Sequence, residues 1–513
     1  MRRVPLTLVP AFLVGIFLLG TCTAAHAGTA PQTDWMTVLL GGRKVGHLQI
    51  DRERKDGILT TTQTLALDLS RAGKPMHLGN LSRSVEGPDG QPLGFSARTR
   101  MSSMDSTVEA QADGAGRYLV TTTVGGQSRN SLMDWPPGAL LAEGQRLAAM
   151  AAGREAGHRY GLREFDPSSQ QVVDVQVDIL GDETVALPGG AMRLSHQRQT
   201  LALAHGRQTL DLWVDEQGIA RKGLMYLLGQ PLEMLACDRA CALAPNQPVD
   251  MLRAATVDSP RLLPSYVRSM PMRYRIHVSG NIGQPFITTD EQQVTALGGD
   301  DWMVDVGGAH PGRQAPPQPA DREANAWLQS DAPAIRRAAA KAVDGARDDL
   351  SRMRRLRQFV SGYVTAHGLD VGYASALEVL DSREGDCTEY AVLLAAMARA
   401  QGIPARVVSG MVYADRFAGA SRTFMPHEWV QAWVDGRWQS FDAALRHFDS
   451  THLALASGDG DPWHFAATTQ LFGNLHISQA VPDADLSTPV GGAAAPAGNG
   501  VSNGGGNSGG RGG

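Results

Sequence analysis

From Thr33 to about Asp305 apolar and polar residues alternate in short runs, punctuated by Gly and by Asp-Gly pairs. Residues 37–50 (TVLLGGRKVGHLQI), 172–180 (VVDVQVDIL) and 210–214 (LDLWV) show the pattern. A period of two turns the apolar side chains to one face, as in antiparallel strands with one wet side. Only residues 137–152 break it with a helical spacing. The pattern predicts a large β-rich antiparallel region over residues 28–310, either one long curved sheet or two subdomains. It carries no motif specific enough to assign a function.

The pattern changes after a Pro-rich linker at 311–320 (residues 314–318 are QAPPQ). Helical spacing follows over 321–343, with a break near Pro333, and over 348–364, where Leu350, Met353, Leu356, Phe359 and Val360 share a face. The run 391–400 (AVLLAAMARA) is apolar on nearly every side and is stopped by Gly402 and Pro404, so it reads as a fully buried helix. Cys387 opens that helix. Free N–H groups and the positive end of the helix dipole favour a thiolate there.

Residues 427–434 (HEWVQAWV) and 437–442 (RWQSFD) are two β-rich runs separated by Asp435-Gly436, the pair a type I′ hairpin turn prefers. That turn pairs Val434 with Arg437 and Trp433 with Trp438. Counting outward, His427 and Asp442 become diagonal neighbours on one face, within reach of an imidazole–carboxylate hydrogen bond. Cys387, His427 and Asp442 are thereby the parts of a thiol acyl-transfer site: nucleophile, base and the carboxylate that orients it.

These residues resemble the transglutaminase-like superfamily, within the wider papain-like cysteine enzymes. The resemblance rests on 376–380 (ALEVL), 383–389 (REGDCTE), 399–410 (RAQGIPARVVSG) and 427–442, with Asp442-Ala443 and Thr451-His452-Leu453 fitting its bacterial cysteine-protease branch. It spans residues 321–480, about a third of the chain. The resemblance implies an α+β class: a C-terminal papain/transglutaminase-like domain, with the Cys-bearing helix packed on an antiparallel sheet, preceded by the β-rich region. Tyr390 stands where that branch often has His.

Residues 1–27 have the charged, apolar and small-residue parts of a secretory signal peptide, so the protein is expected to be exported, to the periplasm or beyond, without a membrane span after cleavage. Loss of Cys22 with the signal leaves three of the four cysteines. Cys237 and Cys241 are expected to form a local disulfide in an oxidising compartment, leaving Cys387 free. A net charge of −5 does not suggest nucleic acid. No His/Cys cluster has metal spacing, so neither metal nor cofactor is expected. The Gly-rich tail at 481–513 is expected to be disordered.

Competing readings make Cys387 a small core hydrophobe, Asp442 a strand-end residue satisfying local amides, and His447, His452 and His464 surface or structural residues. The wall residues Trp429, Trp433 and Trp438 read as core. Tyr363, Tyr373 and Ser375 are all open as a second oxyanion donor. The expected activity is that of a cysteine peptidase or amidase acting on a protein or peptide of unknown identity. Two alternatives stand beside it: amine transfer by a transglutaminase, and a catalytically idle module that binds a cell-envelope partner through the β-rich region.

Overall fold

The computed structural model describes residues 32–483 apart from 72, 102–103, 115, 204–205, 281, 309–311, 366–372, 446, 463–464, 466–467 and 469–470. The expected signal peptide, nearly all of the tail, and His464 lie outside the described residues.

The alternating pattern of the first half becomes one sheet of fifteen strands. Strands run outward from Gln32–Leu40 to Gln127–Asp134 on one side and from Gln230–Cys237 back to Ala139–Leu140 on the other, joined where Gln32–Leu40 pairs with Gln230–Cys237. The sheet curls, because Phe95 and Tyr118 from one arm pack with Phe165 from the other and with Trp135, at ring separations of 4.7–6.2 Å. The helical spacing at 137–152 gives a shorter helix, Ala142–Ala152, after the two-residue strand Ala139–Leu140. Buried Glu86 accepts the N–H groups of Glu143 and Gly144 at 2.9 Å each, satisfying the donors that open that helix. Cys237 and Cys241, expected as a disulfide, are both free thiols. They lie where Gln230–Cys237 turns into the short helix Arg239–Ala242, whose cap is the Asp238 carboxylate.

The second half is built on the helix Cys387–Ala400, buried along almost its whole length as its composition predicts. Helices Pro333–Ala342, Asp349–Tyr363 and Ala376–Ser382 surround it with Ile335, Met353, Leu356, Val360 and Val379. Its remaining side packs on the strands Ala405–Phe417 and Ala420–Val434.

Strand pairing crosses the expected boundary at 311–320. Val257–Asp258 pairs with Thr423 and Phe424. Met272–Val278 lies between Asp301–Val306 and Leu475–Pro482. Their shared core includes Tyr274, Ile276, Phe424 and Leu455. The segment expected as a linker is also docked: the N–H groups of Arg313, Gln314 and Trp438 all donate to Asp290, and Trp438 Nε1 donates to the Ala315 carbonyl. Asp290 is wholly buried, so those donors satisfy its carboxylate.

The curled sheet touches the helical half at several points. Val124 enters the core around Cys387–Ala400, Gly125 abuts Glu378, and Arg129 pairs with Asp331.

Candidate active site

Asp386 caps the helix that begins at Cys387. Its carboxylate accepts Thr388 N–H at 3.1 Å and Thr388 Oγ1 at 3.0 Å. Glu389 reaches back to Asp386 N–H at 2.8 Å and also accepts Ala374 N–H at 3.0 Å. This capping box fixes the first turn. A Cβ on Gly385 would fall 2.3 Å from Glu389 Cβ, so a glycine there lets Glu389 fold back.

The hairpin has the register read from the sequence: Val434 pairs with Arg437 and Trp433 with Trp438, and both turn residues have positive φ (Asp435 53°, Gly436 75°). His427 Nε2 and Asp442 Oδ2 are 2.8 Å apart, with both residues buried. His427 Nδ1, also buried, has no hydrogen-bond partner among the described residues.

His452 is the residue sequence reasoning missed. It is buried, and its Nε2 lies 3.0 Å from the same Asp442 Oδ2. Its Nδ1 contacts the Asp449 carbonyl at 3.0 Å and Asp449 Oδ1 at 3.2 Å. Burial opposes charge on the ring, but the two carboxylates outweigh it and raise its pKa to about 9. Asp442 is correspondingly held far below the usual carboxylate range: burial would raise it, and the two imidazoles overcome that. The only sequence signal was the Thr451-His452-Leu453 match. His447, by contrast, is exposed. The ligand-type atoms of His427, Asp442 and His452 lie within 4.8 Å of one another. Each Nε2 is already hydrogen-bonded to Asp442, which reads as a proton-sharing chain.

Cys387 and His427 line one cleft of about 580 Å³ together with Arg71, Tyr373, Asp386 and Glu428. Leu252, Phe417, Met425, Phe465 and Phe472 give it apolar walls. The thiol is not the resting thiolate expected from its helix position. Burial, then the Asp386 and Glu428 carboxylates, push it well above the usual thiol range, against the opposing pull of Arg71 and the Glu428 N–H that donates to it. A neutral resting thiol requires a base. Burial and Asp386 likewise raise Glu428 to about 8.

Of the three residues left open as oxyanion donors, Tyr363 Oη is used on the Leu380 carbonyl at 2.7 Å and Ser375 Oγ on Glu378 at 2.7 Å. Tyr373 lines the cleft, with its hydroxyl 3.5 Å from Glu428 Oε2. Tyr390, which takes the place of the branch's His, donates to the Val364 carbonyl at 2.8 Å. Trp429 and Trp438 are core residues as expected, and Trp429 Nε1 donates to Ser440 Oγ at 3.2 Å.

Residues 336–443 match the family model of the Transglutaminase-like superfamily. An uncharacterised Mycobacterium leprae protein is 37% identical over 68 residues, 13% of this chain and 24% of that protein. The chain thus spans about a quarter of the length of that curated relative. Among solved structures, a candidate cysteine protease of Cytophaga hutchinsonii is similar over 42% of this chain and 84% of its own, at 17% identity and a TM-score of 0.26. A β-barrel-like protein of unknown function from Brucella abortus covers 40% of this chain and 96% of its own, at 10% identity and a TM-score of 0.34. No helix among the described residues is long and apolar enough to cross a membrane.

Proposed function

We propose that the chain is an exported thiol enzyme that cleaves amide bonds through an acyl-enzyme, a cysteine peptidase or amidase; the match of residues 336–443 to the transglutaminase-like superfamily model supports this reading. The observation that carries this reading is the buried His427–Asp442 hydrogen bond, 2.8 Å long, in a cleft that Cys387 also lines. Export is read from the signal-peptide pattern of residues 1–27.

In this mechanism His427 Nδ1 takes the Cys387 thiol proton and the sulfur adds to the amide carbonyl. The Cys387 backbone N–H, at the helix start, holds the resulting oxyanion. The tetrahedral intermediate expels the amine, which takes the proton back from His427, and leaves a thioester. Water, deprotonated by His427, then releases the acid and restores the thiol. Asp442 holds the imidazole's orientation and balances its charge while it carries the proton. The apolar walls support a peptide substrate with a bulky apolar side chain beside the scissile bond.

The test is incubation of the chain with fluorogenic peptides carrying Leu or Phe, with and without a labelled primary amine. Hydrolysis lost in Cys387→Ala and in His427→Ala is the expected outcome. Amine incorporation without hydrolysis would replace the reading with a transglutaminase. No turnover, with equal thiol labelling of wild type and His427→Ala, would leave the idle binding module.

A further inference from the structure

The cleft is not built by the helical half alone. Arg71 is the last residue of the strand Ile58–Arg71 and pairs with Lys74 across a hairpin turn of the curled sheet. Its guanidinium lies 2.6 Å from Asp386 Oδ2, on the far side of the carboxylate that caps the Cys387 helix, and it lines the cleft with Cys387. The hairpin tip is braced: Ser70 N–H donates to the Val249 carbonyl at 2.9 Å, and Gly73 N–H to Asp250 Oδ2 at 3.1 Å. Asp250 also caps the short helix Met251–Ala254, which carries Leu252 into the cleft wall.

The helix needs the Asp386 carboxylate as a cap, yet a full negative charge beside the sulfur opposes formation of a thiolate. A cation on the other oxygen removes that conflict without removing the cap. We propose that Arg71 is a positioning residue for the reaction: by holding Asp386 it sets how readily Cys387 releases its proton, which makes the N-terminal sheet part of the catalytic machinery. This rests on Cys387 being the nucleophile. The charged and titratable groups around the sulfur are Asp386 and Glu389 from its own helix turn, His427 and Glu428 from the strand Ala420–Val434, Arg71 from the sheet, and the hydroxyls of Tyr373 and Tyr390. Among the described residues lining the cleft, Arg71 is the sole Lys or Arg.

The test is the pH profile of Cys387 alkylation by iodoacetamide, read by intact mass on the full chain in a Cys237→Ser/Cys241→Ser background. Arg71→Met should move the midpoint upward by about one pH unit, which is about tenfold slower labelling at neutral pH. Arg71→Lys should restore most of the rate. Adding Asp386→Asn to Arg71→Met should move the midpoint back down, a recovery that a purely structural role would not produce. An unchanged midpoint in both Arg71→Met and Arg71→Gln, or a double variant no faster than Arg71→Met, would overturn the proposal. Peptide hydrolysis measured beside it on the wild type separates the two readings: no turnover by the wild type while the Arg71 shift persists would sink the peptidase reading and leave the effect of Arg71 on the thiol standing.

Discussion

Asp442 Oδ2 serves two imidazoles, and the two have different environments. The other nitrogen of His427 has no hydrogen-bond partner among the described residues, whereas His452 is tied at both nitrogens to carboxylates or a carbonyl. The raised His452 pKa implies that its contribution to stability is complete below its unfolded value, about 6.5, and is lost as pH rises through about 9. Denaturant midpoints between pH 6 and 10 should therefore fall in the wild type and vary less in His452→Gln. The depressed Asp442 works in the opposite direction: its contribution is present above about 4 and lost on acidification. Asp442→Asn keeps the shape but removes the charge that orients His427, and should lower kcat by about 10²–10⁴ with a smaller change in KM, measured by steady-state hydrolysis. The placements of Cys387, His427 and Asp442 were legible in the sequence because each follows a local rule: a helix start for Cys387, a two-residue turn and alternation for His427 and Asp442. His452 and Arg71 were not, because no local pattern announces a contact between loops that leave different strands of a sheet or between distant halves of the chain. The resting thiol was misjudged for the same reason, since the helix dipole is visible in sequence and the carboxylates of Asp386 and Glu428 converging on it are not.

At the scale of elements, the hairpin depends on backbone conformations few residues adopt. Gly436→Val would place a β-branched residue at φ 75° and should cost about 1–2 kcal/mol, seen as a lower denaturation midpoint together with loss of activity as the His427–Asp442 register loosens. Gly410, opposite His427 on the neighbouring strand, is tighter still. A Cβ there would lie 2.1 Å from the Leu453 carbonyl oxygen and 2.8 Å from the Trp429 ring. Gly410→Ala should therefore destabilise by about 1–3 kcal/mol and push apart the strands that hold His427 and His452, which thermal melting would register. The buried Cys387 helix and the wet-faced strands were readable because period and composition are local; one long curved sheet was only one of two expected alternatives, because what selects it, Phe95, Tyr118, Trp135 and Phe165 meeting across its two arms, has no local pattern.

At the scale of the molecule, both the matched residues 336–443 and the expected domain 321–480 are smaller than the unit that packs. Residues 321–480 alone would lose Val257–Asp258 and Met272–Val278, whose Tyr274 and Ile276 are fully buried in a core shared with Phe424 and Leu455. That fragment should precipitate on expression, whereas the full chain stays in the supernatant. A Pro-rich stretch reads as a linker in the sequence; in the structure Asp290 and Trp438 hydrogen-bond to it. The halves also meet where backbone must touch backbone: a Cβ on Gly473 would lie 2.2 Å from the Leu228 carbonyl carbon. Gly473→Ala should pry the sheet from the cleft.

The placement of Leu475–Pro482 beside Met272–Val278 bears on biosynthesis. Throughout translation the earlier strand waits with a bare apolar flank, an invitation to adhesion between neighbouring nascent chains. Stop codons placed just before position 475 should yield inclusion bodies rather than a weakened enzyme, and a soluble, active product from such a gene would show that this late seam is dispensable.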